Sequence, residues 1–273
     1  MTALAQAFAR ARAEGRAALI GYLPAGFPTR DDSVRLMRAM VGAGVDIVEV
    51  GLPYSDPLMD GPVIQAAADQ ALRGGTTPAD VIAIAGEVAQ SGAATVVMSY
   101  WNPVERFGVD AFARDLAAAG GCGVITPDLT PEESADWAAA TSAHDIDRIY
   151  LVAPSSTDDR LRVVSDACSG FVYAASTMGV TGARTSVSGA AESLVARVRQ
   201  VTDLPIAVGL GVSTGEQAAE IAAYADGVIV GSAFIRLVLD APGIDEAERA
   251  VAGLAGELAA GVRRRRMDAG PVT

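Results

Sequence analysis

The chain has 273 residues, 51% hydrophobic and 20% charged, with a formal net charge of −12. That composition suits a globular protein with enough apolar material for a sizeable core, and its acidic balance excludes the basic footprint needed to neutralise nucleic-acid phosphates. The cysteines, Cys122 and Cys168, lie far apart without a CxxC pairing, which suggests neither a disulfide framework nor a zinc site and fits a reducing cytoplasm.

Taken in chain order, MTALAQAFARARAEGR reads as an amphipathic helix with several arginines, and no apolar run approaches the ~18 residues needed to span a bilayer. Eight short apolar runs then alternate with helical patterns. The runs begin at Ala17, Val45, Ala94, Cys122, Asp147, Gly170, Leu204 and Asp226. Thr77-Pro78-Ala79-Asp80 and Thr130-Pro131-Glu132-Glu133 each place Thr at an N-cap, Pro at the first helical position and an acid at the third. Glycines following Ala43, Ala119 and Cys168 supply left-handed stops. His144, the single histidine, falls in the polar stretch TSAHDID and reads as a surface residue, and no multi-histidine metal centre can form. The final helix ends in Arg263 to Arg266, where positive charge favours the negative end of its dipole. Residues 1–262 read as one domain and 263–273 as a short basic, disordered tail.

Unbroken βα repetition over this length favours a single (β/α)₈ barrel with an N-terminal helix and extra helical turns in its βα loops. A doubly wound open sheet is the alternative, but the first strand ends in LPAGFPT rather than a nucleotide-binding glycine turn. In a barrel, chemistry gathers where strands run out into the following loops. That rim would carry Glu49, the 53–62 loop, Tyr100, Asn102, Asp128, the 177–186 segment, Gly211 and Gly231-Ser232.

Three constellations stand out there. Strand alternation sends Ile47, Glu49 and Gly51 to one face, and a carboxyl pointing into a barrel mouth would have its pKa raised toward a value suited to proton transfer. A buried glutamate satisfied by a neighbouring Tyr or Asn fits the same pattern. In PYSDPLMDGP, Asp56 and Asp60 either close ordinary turns or ride on a lid that delivers an acid to a substrate. The glycine turns MGVTGAR, GLGVSTGEQ and VGSAF follow adjacent strands, as in barrels that hold phosphate on backbone N–H groups. No lysine appears in these segments, so a Schiff-base aldolase lacks its nucleophile.

From about Gly21 to Phe234 these segments resemble the tryptophan synthase alpha subunit family. VEVGLPYSDPLMDGPVIQAA is the most specific, and SYWNPVERFGVDAFARDLAAAG, PDLTPEES, STMGVTGAR, VGLGVST and GVIVGSAF follow in order. The resemblance implies cofactor-free retro-aldol cleavage of indole-3-glycerol phosphate to indole and glyceraldehyde 3-phosphate. It implies Glu49 as general acid/base and Asp60 as the partner of the indole N–H. Tyr22, Met98, Tyr100, Ile125 and Tyr173 would line the substrate slot, although ordinary barrel core fits Tyr22, Met98 and Ile125 equally well. Thr181 would touch the catalytic aspartate, and Gly182, Gly211, Gly231 and Ser232 would hold the phosphate.

A beta subunit carrying pyridoxal phosphate is implied as partner in an alpha2beta2 complex. Its contacts would fall on Pro53, Asp56, Pro57, Asp128, Pro131 and the Trp101-Asn102-Pro103 turn, where Trp101 reads equally as an exposed aromatic anchor and as an ordinarily packed side chain. Met59 departs from the small residue expected in its loop, and the tail ending DAGPVT is an extension. A stand-alone indole-3-glycerol phosphate lyase and a non-catalytic activator are the competing readings. The presence of both Glu49 and Asp60 argues against the activator.

Overall fold

A computed structural model describes residues 1–175, 184–209 and 211–264. Its strands are β1 (Ala18–Pro24), β2 (Ile47–Gly51), β3 (Ala94–Met98), β4 (Gly123–Ile125), β5 (Asp147–Ile149), β6 (Leu151–Val152), β7 (Val172–Ala175), β8 (Ile206–Gly209) and β9 (Gly227–Val230). All pair in parallel, in the order β5-β4-β3-β2-β1-β9-β8-β7-β6. The two ends of that order are consecutive pieces of one extended segment, interrupted at Tyr150. One piece pairs with β4 and the other with β7, so the sheet curls into a (β/α)₈ barrel. The interruption follows from the stagger that closure imposes: each half of the segment meets a different neighbour at a different height.

Inward residues alternate with outward ones along every strand. Ala18, Ile20, Ile47, Val96, Ile125, Ile149, Ala207 and Ile229 fill the barrel interior, and the N-terminal helix Ala3–Ala13 plugs its lower end with Leu4, Ala7, Phe8 and Ala11. The apolar stripe of that helix therefore has a structural destination inside the barrel. Outward residues such as Leu19, Val48, Val50, Val97 and Val228 pack under the surrounding helices. Near the plugged end, Asp46 accepts two bonds from the Arg16 guanidinium at 2.6 and 2.8 Å and a third from the Leu19 N–H at 2.9 Å.

The capping pattern holds at one threonine and fails at the other. Thr77 and Asp80 form a reciprocal capping box ahead of Pro78–Ala89. Thr130 instead precedes a single 3₁₀ turn, Pro131–Glu133, and its side chain caps no backbone N–H, because the α-helix starts only at Ala135. Gly44 and Gly120 take positive φ as left-handed stops, but Gly170 does not: the helix Asp158–Ala167 ends on an extended Cys168. His144 is half-buried and bonds Asp110 at 2.9 Å. The last helix, Ile244–Arg263, carries Arg263 in its final turn, donating to the Ala259 carbonyl at 2.8 Å. Among the described residues no helix is long and apolar enough to cross a membrane.

Candidate active site

Glu49 lies opposite Tyr22 of β1 and Val96 of β3 in the ladder, on the inward face. It is 1% exposed, and one of its carboxylate oxygens has no hydrogen-bond partner. Burial, and secondarily the charge of Asp60, pushes its pKa up to about 8. A carboxyl so placed is poised to give and take a proton near neutrality.

The second acid comes from the loop between β2 and the helix Pro62–Arg73. Gly61 caps that helix and Pro62 opens it, so the chain arrives at Asp60 just before the first turn. The Gln65 amide donates to the Asp60 carbonyl at 2.7 Å, and the Met59 N–H donates to the Tyr100 hydroxyl at 3.0 Å. Burial raises the Asp60 carboxyl above its ordinary range, opposed by its contact with the Tyr100 hydroxyl. Tyr100 in turn stacks on Tyr54 with ring centroids 5.3 Å apart.

Above Glu49 the wall is built from tyrosines resting on glycines. A Cβ on Gly51 would fall 2.4 Å from the Tyr22 hydroxyl oxygen, and one on Gly209 would fall 2.6 Å from that of Tyr173. Both phenols therefore lean toward the rim, over the neighbouring strand. The sequence put Gly51 only on the face of Glu49 and Gly209 only in a glycine turn, and singled out neither Tyr54 nor Gln65; a glycine closing a strand was the available signal for the first two. Met98 is partly buried at the level of Gly51, whereas Ile125, paired with Met98, is wholly buried in the inner core.

Further round the same rim, Gly211 after β8 has φ +62°, and Gly231 after β9 caps the helix Ser232–Asp240, where among the described residues no side chain serves the first N–H groups. Such an end suits an anion. Gly231 also borders the Tyr22 ring. Thr181 and Gly182 lie outside the described residues.

The outer residues of the loops separate further. Asp56 is exposed and accepts from the Ser55 hydroxyl at 2.6 Å, Pro57 is half-buried, and Pro53 is buried. Trp101 is not an exposed anchor: it is half-buried, edge-on to Trp137 at 5.8 Å. It also opens the helix Trp101–Phe107, so the expected turn is a helical start, capped by Asp128 through a 2.9 Å bond from the Trp101 N–H. Asn102 is exposed, Pro131 half-buried, and Leu58 and Met59 are large exposed apolar side chains.

Fold and site together define a barrel enzyme of carboxylate acid/base chemistry, with two acids at the mouth and an anion-suited helix terminus on the same rim. Lysine is missing from the whole sequence, which removes imine chemistry. The family model described as tryptophan synthase alpha chain matches residues 8–263. The tryptophan synthase alpha chain of Thermobifida fusca is 62% identical, over 96% of this chain and 98% of that protein. That of Mycobacteroides abscessus is 61% identical over 96% and 97%. A solved structure of Mycobacterium tuberculosis tryptophan synthase aligns with TM-score 0.88 and 56% identity, over 95% of this chain and 98% of the other. The alpha subunit from Legionella pneumophila aligns at 0.88 with only 29% identity, over 97% and 99%. The chain belongs to the tryptophan synthase alpha chain family.

Proposed function

We propose that Glu49 and Asp60 divide the acid/base work of this family's reaction. The chain is a carbon–carbon lyase: it cleaves indole-3-glycerol phosphate and passes indole to a beta subunit. Glu49 delivers a proton to the indole ring carbon that bears the side chain and takes the proton of the adjacent hydroxyl. The carbon–carbon bond breaks, the hydroxyl carbon becomes the aldehyde of glyceraldehyde 3-phosphate, and the electron pair returns to the indole ring. Asp60 accepts from the indole N–H as positive charge builds there. The observation that carries this reading is a wholly buried carboxyl, with an unpartnered oxygen and a pKa near neutrality, facing a second acid at a barrel mouth.

Tyr22, Met98, Tyr100 and Tyr173 line the slot, and Ile125 backs it. The phosphate is held by backbone N–H groups at Gly182, Gly211, Gly231 and Ser232, while Thr181 touches Asp60; Gly182 and Thr181 lie outside the described residues. The chemistry assigned to this chain needs no cofactor, pyridoxal phosphate belonging to the beta subunit. That partner docks in an alpha2beta2 complex on Asp56, Pro57, Asn102, Asp128 and Pro131, with Pro53 and Trp101 supporting the surface from beneath. Exposed Leu58 and Met59 supply apolar area on the same rim. Residues 1–262 act as one catalytic domain, with the helix continuing one residue further to Arg263. Free, buried Cys122 and Cys168 suit a cytoplasmic setting.

The test is indole release from indole-3-glycerol phosphate by wild type, Glu49→Gln and Asp60→Asn, with and without a beta subunit. Slow cleavage that the partner accelerates and either substitution abolishes is expected. Normal turnover in Glu49→Gln would overturn the assignment.

A further inference from the structure

Tyr22 stands in the barrel wall directly opposite Glu49 in the ladder, and its phenol feels the charge of both acids. Glu49 and Gly51 share the inward face of β2, about 7 Å apart at two residues' rise. The Tyr22 hydroxyl occupies the space that a Gly51 side chain would fill, one step beyond Glu49 toward the loop that carries Asp60. Its ring is held along its length. Gly51 lies against the hydroxyl end, and a Cβ on Gly231 would fall 3.0 Å from the ring's near edge. A larger residue at either glycine would push the phenol out of this place. The residue is 8% exposed, so a donor held here is largely stripped of water. Among the described residues its hydroxyl makes no hydrogen bond, whereas the Tyr100 hydroxyl already accepts from Met59.

The two wall tyrosines also differ in what they face. After burial, Asp60 is the strongest influence on the Tyr22 phenol, ahead of Glu49, and both raise its pKa. For Tyr173 the order is reversed, with Glu49 first. A phenol that resists ionisation beside a carboxylate is a hydrogen-bond donor.

We propose that Tyr22 is a positioning residue for Asp60: its hydroxyl donates to the Asp60 carboxylate when that acid is drawn over the substrate, opposite the donor Tyr100. The inference rests on the reading of Asp60 as the partner of the indole N–H. Tyr100 fixes the loop end of the carboxylate and Tyr22 fixes the wall end. The acid then meets the N–H in one orientation, and a donor on its free oxygen keeps it ionised. The titratable groups facing Asp60 are Tyr22 on β1, Glu49 on β2, Tyr100 after β3 and Tyr173 on β7; among the described residues no cation faces it.

The experiment is the pH dependence of kcat for indole release in the complex with the beta subunit, comparing wild type, Tyr22→Phe, Gly51→Ala and Asp60→Asn. Asp60 must be ionised to work, so activity falls as pH drops through its pKa. Loss of a donor to the ionised form raises that pKa. In Tyr22→Phe the acid limb should move up by about one pH unit, so that kcat at a pH on that limb falls about tenfold, with KM within threefold. Gly51→Ala, which displaces the same phenol, should move the limb in the same direction. An unmoved limb in Tyr22→Phe, or a change confined to KM, overturns the proposal while leaving Asp60 in place. Full turnover in Asp60→Asn would instead overturn the reading of Asp60.

Discussion

Glu49 should make this protein less stable as the pH rises through neutrality, and Glu49→Gln should remove that dependence. The folded chain holds the Glu49 carboxyl protonated up to about pH 8, against an ordinary value of 4.5. Between those values the unfolded chain has released a proton that the folded chain still binds. Unfolding is therefore favoured more with each step in pH, by about 1.4 kcal/mol per unit. Below 4.5 both states are protonated and the cost is absent; above about 8 both are ionised and it is constant, on the order of 5 kcal/mol. Glutamine has the shape of the protonated acid and cannot ionise. Its fixed offset drops out when only the pH dependence is compared. Urea unfolding of both proteins across this range should show the difference growing in the mutant's favour by about 3 kcal/mol between pH 5 and pH 7.5. Parallel stability profiles would refute the claim that Glu49 is buried as a protonated acid. The same substitution should abolish indole release, in which case the residue that costs stability is also the one that does the chemistry.

Removing the Tyr100 hydroxyl in Tyr100→Phe leaves the Met59 N–H without its acceptor and Asp60 without its neighbour, and steady-state kinetics should show kcat lower by roughly ten- to a hundredfold. Arg16, 6% exposed, is bound through two nitrogens to Asp46; Arg16→Leu leaves that half-buried carboxylate with the Leu19 N–H alone and should cost about 2–4 kcal/mol by urea denaturation. The helices Gly215–Ala222 and Ile244–Arg263 approach backbone to backbone, a Cβ on Gly261 falling 2.2 Å from the Gly215 carbonyl oxygen. Gly261→Ala should therefore destabilise by about 1–3 kcal/mol, and an unchanged melting midpoint would show that the helices part freely.

Much of the fold was legible because its signals are local. Each of the eight apolar runs contains strand, and Glu49 was placed on the inward face by alternation alone, since a residue two positions from Ile47 must share its side. Thr77 and Asp80 announced their capping box three residues apart. The reading failed where a local pattern met a competing partner. Thr130 has the same pattern as Thr77 but enters a 3₁₀ turn, and Trp101 looked like an exposed loop aromatic until Trp137, from a distant helix, covered its edge.

Neighbouring residues thus carry the repeat, the barrel and the two candidate acids, because periodicity and capping are local and the family's loop motif is contiguous. The character of those acids arises in the folded chain alone. The high proton affinity of Glu49 comes from desolvation by residues scattered along the chain, and its coupling to Asp60 comes from a loop folded back over the mouth. The places of Tyr22 and Tyr173 likewise depend on glycines of the adjoining strands, Gly51 and Gly209, far away in the chain. Burial and electrostatic coupling are sums over space, and no window of sequence contains them.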